Sequence, residues 1–184
     1  HNYRATVLIT TPANALRLVE LMDARRLDPD TLALRTVLLT RPVPGDLRER
    51  LHAGLFADIY TTFGVPELLN PGLCVECPQG HLHVNEDHFL VETRNGELLV
   101  TTLCREAMPL LRYATRVAAE LLTVDCPCGR TGQVLIPHKR LDEQLLVNET
   151  PLYPAQVAEV LAQTRASGHP FQTEITDRRV LVYL

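Results

Sequence analysis

The chain has 184 residues, the length of one ordinary domain or of a larger one with a small appendage. Apolar residues make up 46% and charged residues 22%, proportions of a chain that folds around a core and that exclude intrinsic disorder. Eighteen basic against twenty-two acidic side chains give a net charge of −4, so there is no basic footprint for nucleic acid or an anionic membrane, and the apolar runs are far too short to span a bilayer.

Residues 1–70 read as alternating strand and helix. Ala5–Thr10 is a β-rich run without polar alternation, the pattern of a strand covered on both faces. Thr11 offers a capping oxygen and Pro12 a first helical position that needs no N–H donor, and Ala15, Leu18, Val19 and Met22 then recur at helical spacing. Thr36–Thr40 reads as the next strand, Asp46–Ala53 as a short helix with Leu47 and Leu51 inward, and Ala57–Tyr60 as a third strand. This order predicts a parallel β-α-β layer.

From about Pro71 the texture changes to short strands. Phe89–Thr93 and Glu97–Thr101 flank Arg94-Asn95-Gly96, and the Asn-Gly pair predicts a tight hairpin. Leu110–Tyr113 and Gln133–Ile136 read as further strands. After the polar stretch 137–143 come a short run over 144–147 and a helix opened by Pro154, with Val157, Val160, Leu161 and Thr164 on one side and Gly168 as its stop. Phe171–Thr176 and Arg179–Tyr183 form a last hairpin about Asp177-Arg178.

The five cysteines are an odd count, a poor disulfide framework, and no signal segment opens the chain; a reducing, cytoplasmic setting is expected, with thiols free for metal or packing. Cys126-Pro127-Cys128-Gly129 places two thiols one residue apart in a turn, a segment type that is seldom buried by packing alone. Upstream, Cys74-Val75-Glu76-Cys77 leads into His81-Leu82-His83. Zinc commonly takes two ligands from each of two chain segments. If residues 73–77 are extended, Cys74 and Cys77 face opposite ways, which favours Cys77 together with either His81 or His83 over an all-cysteine site. Cys104 reads as a packing residue of an apolar strand, and Glu86-Asp87-His88 as an exposed polar cluster at a strand start.

Several segments together resemble the phenylacetate–CoA ligase family of adenylate-forming enzymes. They are Asp58-Ile59-Tyr60 through Phe63-Gly64-Val65-Pro66-Glu67, Glu76-Cys77 to Leu82-His83, Glu86 to Phe89, Gly96-Glu97-Leu98 with Thr101-Thr102-Leu103, Met108 to Tyr113, and Cys126-Pro127-Cys128-Gly129-Arg130-Thr131. The likeness runs from about Thr6 to Pro154. It implies a partial large domain over 1–139, with a parallel β-α-β portion (1–70) and a β-rich zinc-bound portion (71–139). A hinge and reduced C-terminal helix-hairpin subdomain would follow over 140–184, all within an α/β fold. It also implies ATP- and Mg2+-dependent activation of an acid as an acyl-adenylate, then transfer to coenzyme A. The zinc ligands that it implies are Cys77, His83, Cys126 and Cys128, which selects His83 over His81. Phe63, Gly64, Glu67 and Arg116 fall on nucleotide-binding positions, and Glu67, Arg140 and Asp142 on remnants of the catalytic and hinge motifs.

The departures from that pattern predict a chain that is not catalytic by itself. Pro66 stands where the family uses a hydroxyl on phosphate, and it supplies neither O–H nor N–H. Val117 stands where an aspartate accepts from the ribose hydroxyls, and Glu149 where a glycine lines the thioester channel. No phosphate-cradling glycine-rich loop precedes the first strand, and nothing after Lys139, the only lysine, can serve as the adenylation lysine. The chain also does not begin with Met, as expected of a trimmed chain or a piece of a longer one. A protein partner or the missing N-terminal ligase half is therefore expected. The alternatives are a zinc-stabilised interaction module and one half of a split enzyme.

Overall fold

In the computed structural model, the described residues are 4–69, 72–147, 149–164, 166, 169–176 and 179–183. They form two compact units, one of residues up to Ile59 with those from Glu143 onward, the other of Tyr60–Asp142. The fold is α/β, with few helices and a large share of strand.

In the first unit, β1 (Val7–Thr10) and β2 (Thr36–Leu39) pair in parallel, with Leu8 opposite Val37. Between them runs α1 (Pro12–Ala24), which begins where the sequence places it: the Thr11 hydroxyl accepts from the Asn14 N–H at 3.3 Å and Pro12 takes the first position. Its buried stripe is Ala15, Leu16, Val19 and Met22, so Leu16 takes the place expected of Leu18, which is only half buried. The second helix, α2 (Gly45–Leu55), buries Leu47, Leu51 and Leu55 at a spacing of four. These side chains share one core with Val37, Leu39, Ala57 and Ile59. The expectation that β1 is covered on both faces is corrected: Val7 and Ile9 are 50% and 57% exposed, while Leu8, on the opposite side of the pleat, packs on the core.

β3 (Asp58–Phe63) leads into the second unit. There follow β4 (Cys74–Glu76), β5 (Leu82–Val84), β6 (Phe89–Arg94), β7 (Glu97–Thr102), β8 (Tyr113–Thr123) and β9 (Gln133–Arg140). Side by side they run β3-β4-β5-β9-β8-β7-β6, with antiparallel neighbours. The β6–β7 hairpin closes on Asn95-Gly96, both at positive φ (53° and 78°), the backbone that a two-residue turn between right-twisted strands requires. The predicted strand at Leu110–Tyr113 is corrected. Only Tyr113 enters β8, because the preceding residues fold back on β7: Leu110 and Thr102 exchange hydrogen bonds, and the Arg112 N–H donates to the Thr101 hydroxyl at 2.9 Å. Cys104 is likewise outside a strand and exposed, its thiol 3.3 Å from the Asp87 carbonyl, so it is not a packing residue. The core of this unit is built from Val65, Leu68, Leu73, Cys74, Phe89, Val91, Leu98, Val100, Val117 and Leu135, among others.

After the second unit come β10 (Leu145–Val147) and β11 (Thr150–Leu152), then α3 (Pro154–Ala162), then the hairpin of β12 (Gln172–Thr176) and β13 (Arg179–Tyr183). Gly168 and the hairpin's Asp177-Arg178 lie outside the described residues.

One buried carboxylate ties β3 to β4. Glu76 accepts from the Thr61 N–H at 2.6 Å and from the Thr61 hydroxyl at 2.7 Å, and both residues are buried. Glu76→Ala leaves that N–H buried without its acceptor, so unfolding free energy is expected to fall by about 2–3 kcal/mol in a urea titration.

Candidate metal centre

Two turns built to one formula present the candidate ligands. Cys77-Pro78-Gln79-Gly80 and Cys126-Pro127-Cys128-Gly129 each carry proline at the second position and glycine at the fourth. In each, the glycine N–H donates to the cysteine carbonyl, at 2.9 Å and 3.0 Å, and the glycine sits at φ of about +80° and +81°. The first turn follows β4 and is closed by the Cys77 N–H donating to the His81 carbonyl at 2.9 Å. The second lies between β8 and β9.

Strand pairing brings the turns together. His83, in the middle of β5, lies opposite Val75 of β4 and Val134 of β9, so β5 bridges the strand that precedes the first turn and the strand that follows the second. Cys74, at the start of β4, faces into the apolar core, where burial pushes its thiol pKa up to about 12 and removes it from metal chemistry. Cys77 lies on the other side, beyond the strand end.

Five side chains converge there. The Cys77 and Cys126 sulfurs are 3.7 Å apart, His81 Nδ1 is 3.2 Å from Cys126 Sγ, and His83 Nε2 is 3.5 Å from Cys128 Sγ. Ligand atoms of Cys77, His81, His83 and Cys126 all lie within 4.8 Å of one another. Cys77, His83 and Cys126 are buried, and Cys128 is half buried. Of the residues named from sequence, Cys77, His83, Cys126 and Cys128 are thus neighbours. His81, passed over there, belongs to the same cluster, and the repeated Cys-Pro-x-Gly formula was the signal that each turn ends beside a sulfur.

The electrostatics suit a cation. Burial opposes ionisation of Cys77, but the His81 and Gln79 N–H groups and the Cys126 and Cys128 thiols outweigh it and hold its pKa below the ordinary thiol value. For Cys126 the Cys128 N–H favours the thiolate, yet burial and the neighbouring sulfurs prevail and push its pKa up. Burial, reinforced by the charges of Arg130 and His81, lowers the pKa of His83 and keeps its imidazole neutral, the form that ligates. His83 turns Nε2 toward Cys128, and its other nitrogen, Nδ1, is buried with no hydrogen-bond partner among the described residues. A Cys/His cluster of this kind can bind a metal ion.

The family-matched positions elsewhere have other surroundings. Phe63 packs against the core, and the exposed Glu67 accepts through its carbonyl from Arg105 at 2.8 Å. Arg116, at φ +59°, donates its N–H to the Glu97 carboxylate at 2.9 Å. Arg140 grips Asp142 through two bonds of 3.0 and 2.7 Å, which holds that carboxyl below the usual range. Val117 is buried in the core, and Glu149 occupies a left-handed position (φ +63°) in the turn between β10 and β11.

Solved structures and curated sequences give the context of this arrangement. A 2-hydroxyisobutyryl-CoA ligase in complex with R3-HIB-AMP superposes over 98% of this chain and 43% of its own, with a TM-score of 0.79 at 18% identity. An anthranilate CoA ligase in complex with anthranoyl-AMP covers 98% of this chain and 39% of its own, at 0.63 and 14%. The fold is therefore that of a segment of an adenylate-forming CoA ligase. Within that class the chain is a homologue of the phenylacetate–CoA ligases. The Thermus thermophilus protein of that name is 36% identical over 177 residues, 87% of this chain and 40% of its own, and the Escherichia coli one 26% over 96% and 44%. The chain thus spans about two fifths of the length of these relatives. No family model matches it. No helix among the described residues is long and apolar enough to cross a membrane.

The second turn is anchored at its far end by Glu86, which accepts from the Gln133 N–H at 2.8 Å. A Cβ on Gly132, which sits at φ +102°, would lie 2.6 Å from the same carboxylate. Gly132→Ala therefore combines backbone strain with displacement of Glu86, and a drop in stability of about 1–3 kcal/mol is expected in thermal unfolding.

Proposed function

We propose that the chain is the zinc-clipped portion of a phenylacetate–CoA ligase-like protein. In the whole protein, the chemistry is ATP-dependent activation of an acid and transfer to coenzyme A. The 184 residues by themselves are not catalytic. The observation that carries this reading is the meeting of Cys77, His83, Cys126 and Cys128 from two turns. Tetrahedral zinc with Zn–S of about 2.3 Å and Zn–N of about 2.0–2.1 Å has S···S edges of about 3.8 Å and N···S edges of about 3.6 Å. The Cys77–Cys126 separation of 3.7 Å and the His83–Cys128 separation of 3.5 Å fit those edges. When bound, such an ion supplies cross-linking rather than reactivity: the four residues close its coordination and pin the turns together.

Nucleotide binding is weakened at two positions. Pro66 is exposed and brings no hydroxyl, and Val117 is buried and accepts no hydrogen bond. The remainder of the ligase fold is the proposed partner, supplying the phosphate loop and the adenylation lysine. The exposed Val7 and Ile9 on β1 support completion of this unit by further structure. Free thiols at all five cysteines suit a reducing cytoplasm.

Two experiments test the reading. Cys128→Ser is expected to lose stoichiometric zinc and several kcal/mol of stability, on the order expected when metal binding is coupled to folding, whereas Cys104→Ser keeps its zinc. Equal zinc content in the two variants contradicts the assignment. Isothermal titration of the 184-residue chain with MgATP is expected to give weak binding or none. Tight magnesium-dependent binding, or acyl-adenylate formation with any of a panel of aryl and acyl acids, refutes the claim that it is not catalytic alone.

A further inference from the structure

The cluster holds five candidate ligands for an ion that takes four: Cys77, His81, His83 and Cys126 lie within 4.8 Å of one another, a set that leaves out Cys128, so the choice turns on the individual contacts. The Cys77–Cys126 and His83–Cys128 separations, 3.7 and 3.5 Å, match the edges of a zinc tetrahedron. The His81 Nδ1 to Cys126 Sγ separation is 3.2 Å, shorter than the roughly 3.6 Å edge that two ligands of one zinc would keep. It is a hydrogen-bonding separation, and in the tautomer protonated at Nδ1 the ring N–H is the donor to sulfur. The burial agrees, since His83 is 3% exposed whereas His81 sits half buried at the rim, its ring edge-on to that of His83 at 6.2 Å. His81 is also fixed from its backbone, because its carbonyl accepts from the Cys77 N–H and its own N–H supports the Cys77 sulfur.

We infer that His81 is a positioning residue, which donates its Nδ1–H to the Cys126 thiolate from outside the coordination sphere while Cys77, His83, Cys126 and Cys128 hold the zinc. The inference rests on the zinc reading above. Its physical content is charge: three thiolates on one divalent cation leave a net negative centre, and a donor aimed at one sulfur disperses that charge and fixes the sulfur's direction. Both tasks fall to a group that does not itself bind the ion. Such outer partners change metal affinity without changing the ligand count.

The test uses the purified 184-residue chain, zinc stoichiometry by atomic emission, and zinc affinity by competition with a chromophoric chelator. His81→Leu is expected to keep one zinc per chain but bind it about 10–100-fold more weakly. His81→Asn keeps an N–H donor in reach of the sulfur and is expected to recover most of that loss, and His83→Leu to abolish stoichiometric zinc. In the cobalt-substituted protein, the thiolate-to-metal absorption of His81→Leu should equal that of wild type, since the number of bound sulfurs does not change. Loss of stoichiometric zinc in His81→Leu, wild-type affinity in that variant, or no advantage of Asn over Leu overturns the inference. Absence of zinc from the wild-type chain overturns the underlying metal reading instead, before any variant is compared.

Discussion

Ligand atoms of Cys77, His81, His83 and Cys126 within 4.8 Å of one another, with Cys128 Sγ 3.5 Å from His83 Nε2, are a severe constraint on the turns that carry them. Sulfurs 3.7 Å apart cannot all ionise without a compensating charge, and the opposed shifts of Cys77 and Cys126 express that competition. A cation bound there would resolve it and turn mutual repulsion into attachment. The surrounding structure answers the same need. β5 sits between β4 and β9 so that both turns open on one side, Glu86 grips the entry to β9, and Glu76 holds β4 to β3 directly before the first turn. The connection between β8 and β9 has little apolar content of its own, with Asp125, Gly129, Arg130 and Thr131 all in the stretch. A metal cross-link there would stand in place of a core.

Much of this was legible from sequence because the signals are local. A capping threonine followed by proline begins α1, and Asn95-Gly96 closes the β6–β7 hairpin with the backbone that the dipeptide favours. The odd spacing of Cys74 and Cys77 puts one thiol in the core and the other in the cluster. The residues alone left the choice between imidazoles open, and only the family resemblance favoured His83. His81 and His83 are two residues apart on an extended run, so alternation puts them on the same side, and only the distance from each ring to a sulfur distinguishes them. That distance depends on a turn from a remote part of the chain. The repeat of Cys-Pro-x-Gly would have shown that both turns share a shape, with Gln79 standing where Cys128 stands in the other.

The errors have a common cause as well. Composition reads Ala5–Thr10 as a strand covered on both faces, Leu110–Tyr113 as a strand, and Cys104 as a packing residue of an apolar strand. Apolar composition states that a segment can be covered. It does not state that something covers it, as Val7 and Ile9 show. Nor does it reveal that the hydroxyls of Thr101 and Thr102 engage the 110–112 segment and hold it off the ladder. Those hydroxyls belong to residues eight to eleven positions away, beyond the reach of a periodicity reading.

The surroundings of Val117 give a packing reason for an apolar side chain there. The register of β8 against β9 shifts between Val117 and Ala119, Arg116 adopts a left-handed backbone, and the Leu141 N–H donates to the Arg116 carbonyl. Within this irregularity the valine is 3% exposed and joins the cluster of Leu98, Ala119 and Leu135. An isopropyl group there gains apolar burial, whereas a carboxylate in the same backbone would lose its hydration among apolar side chains. Val117 therefore stabilises the sheet where the register of β8 against β9 shifts. Packing alone is enough to account for an apolar residue at this position.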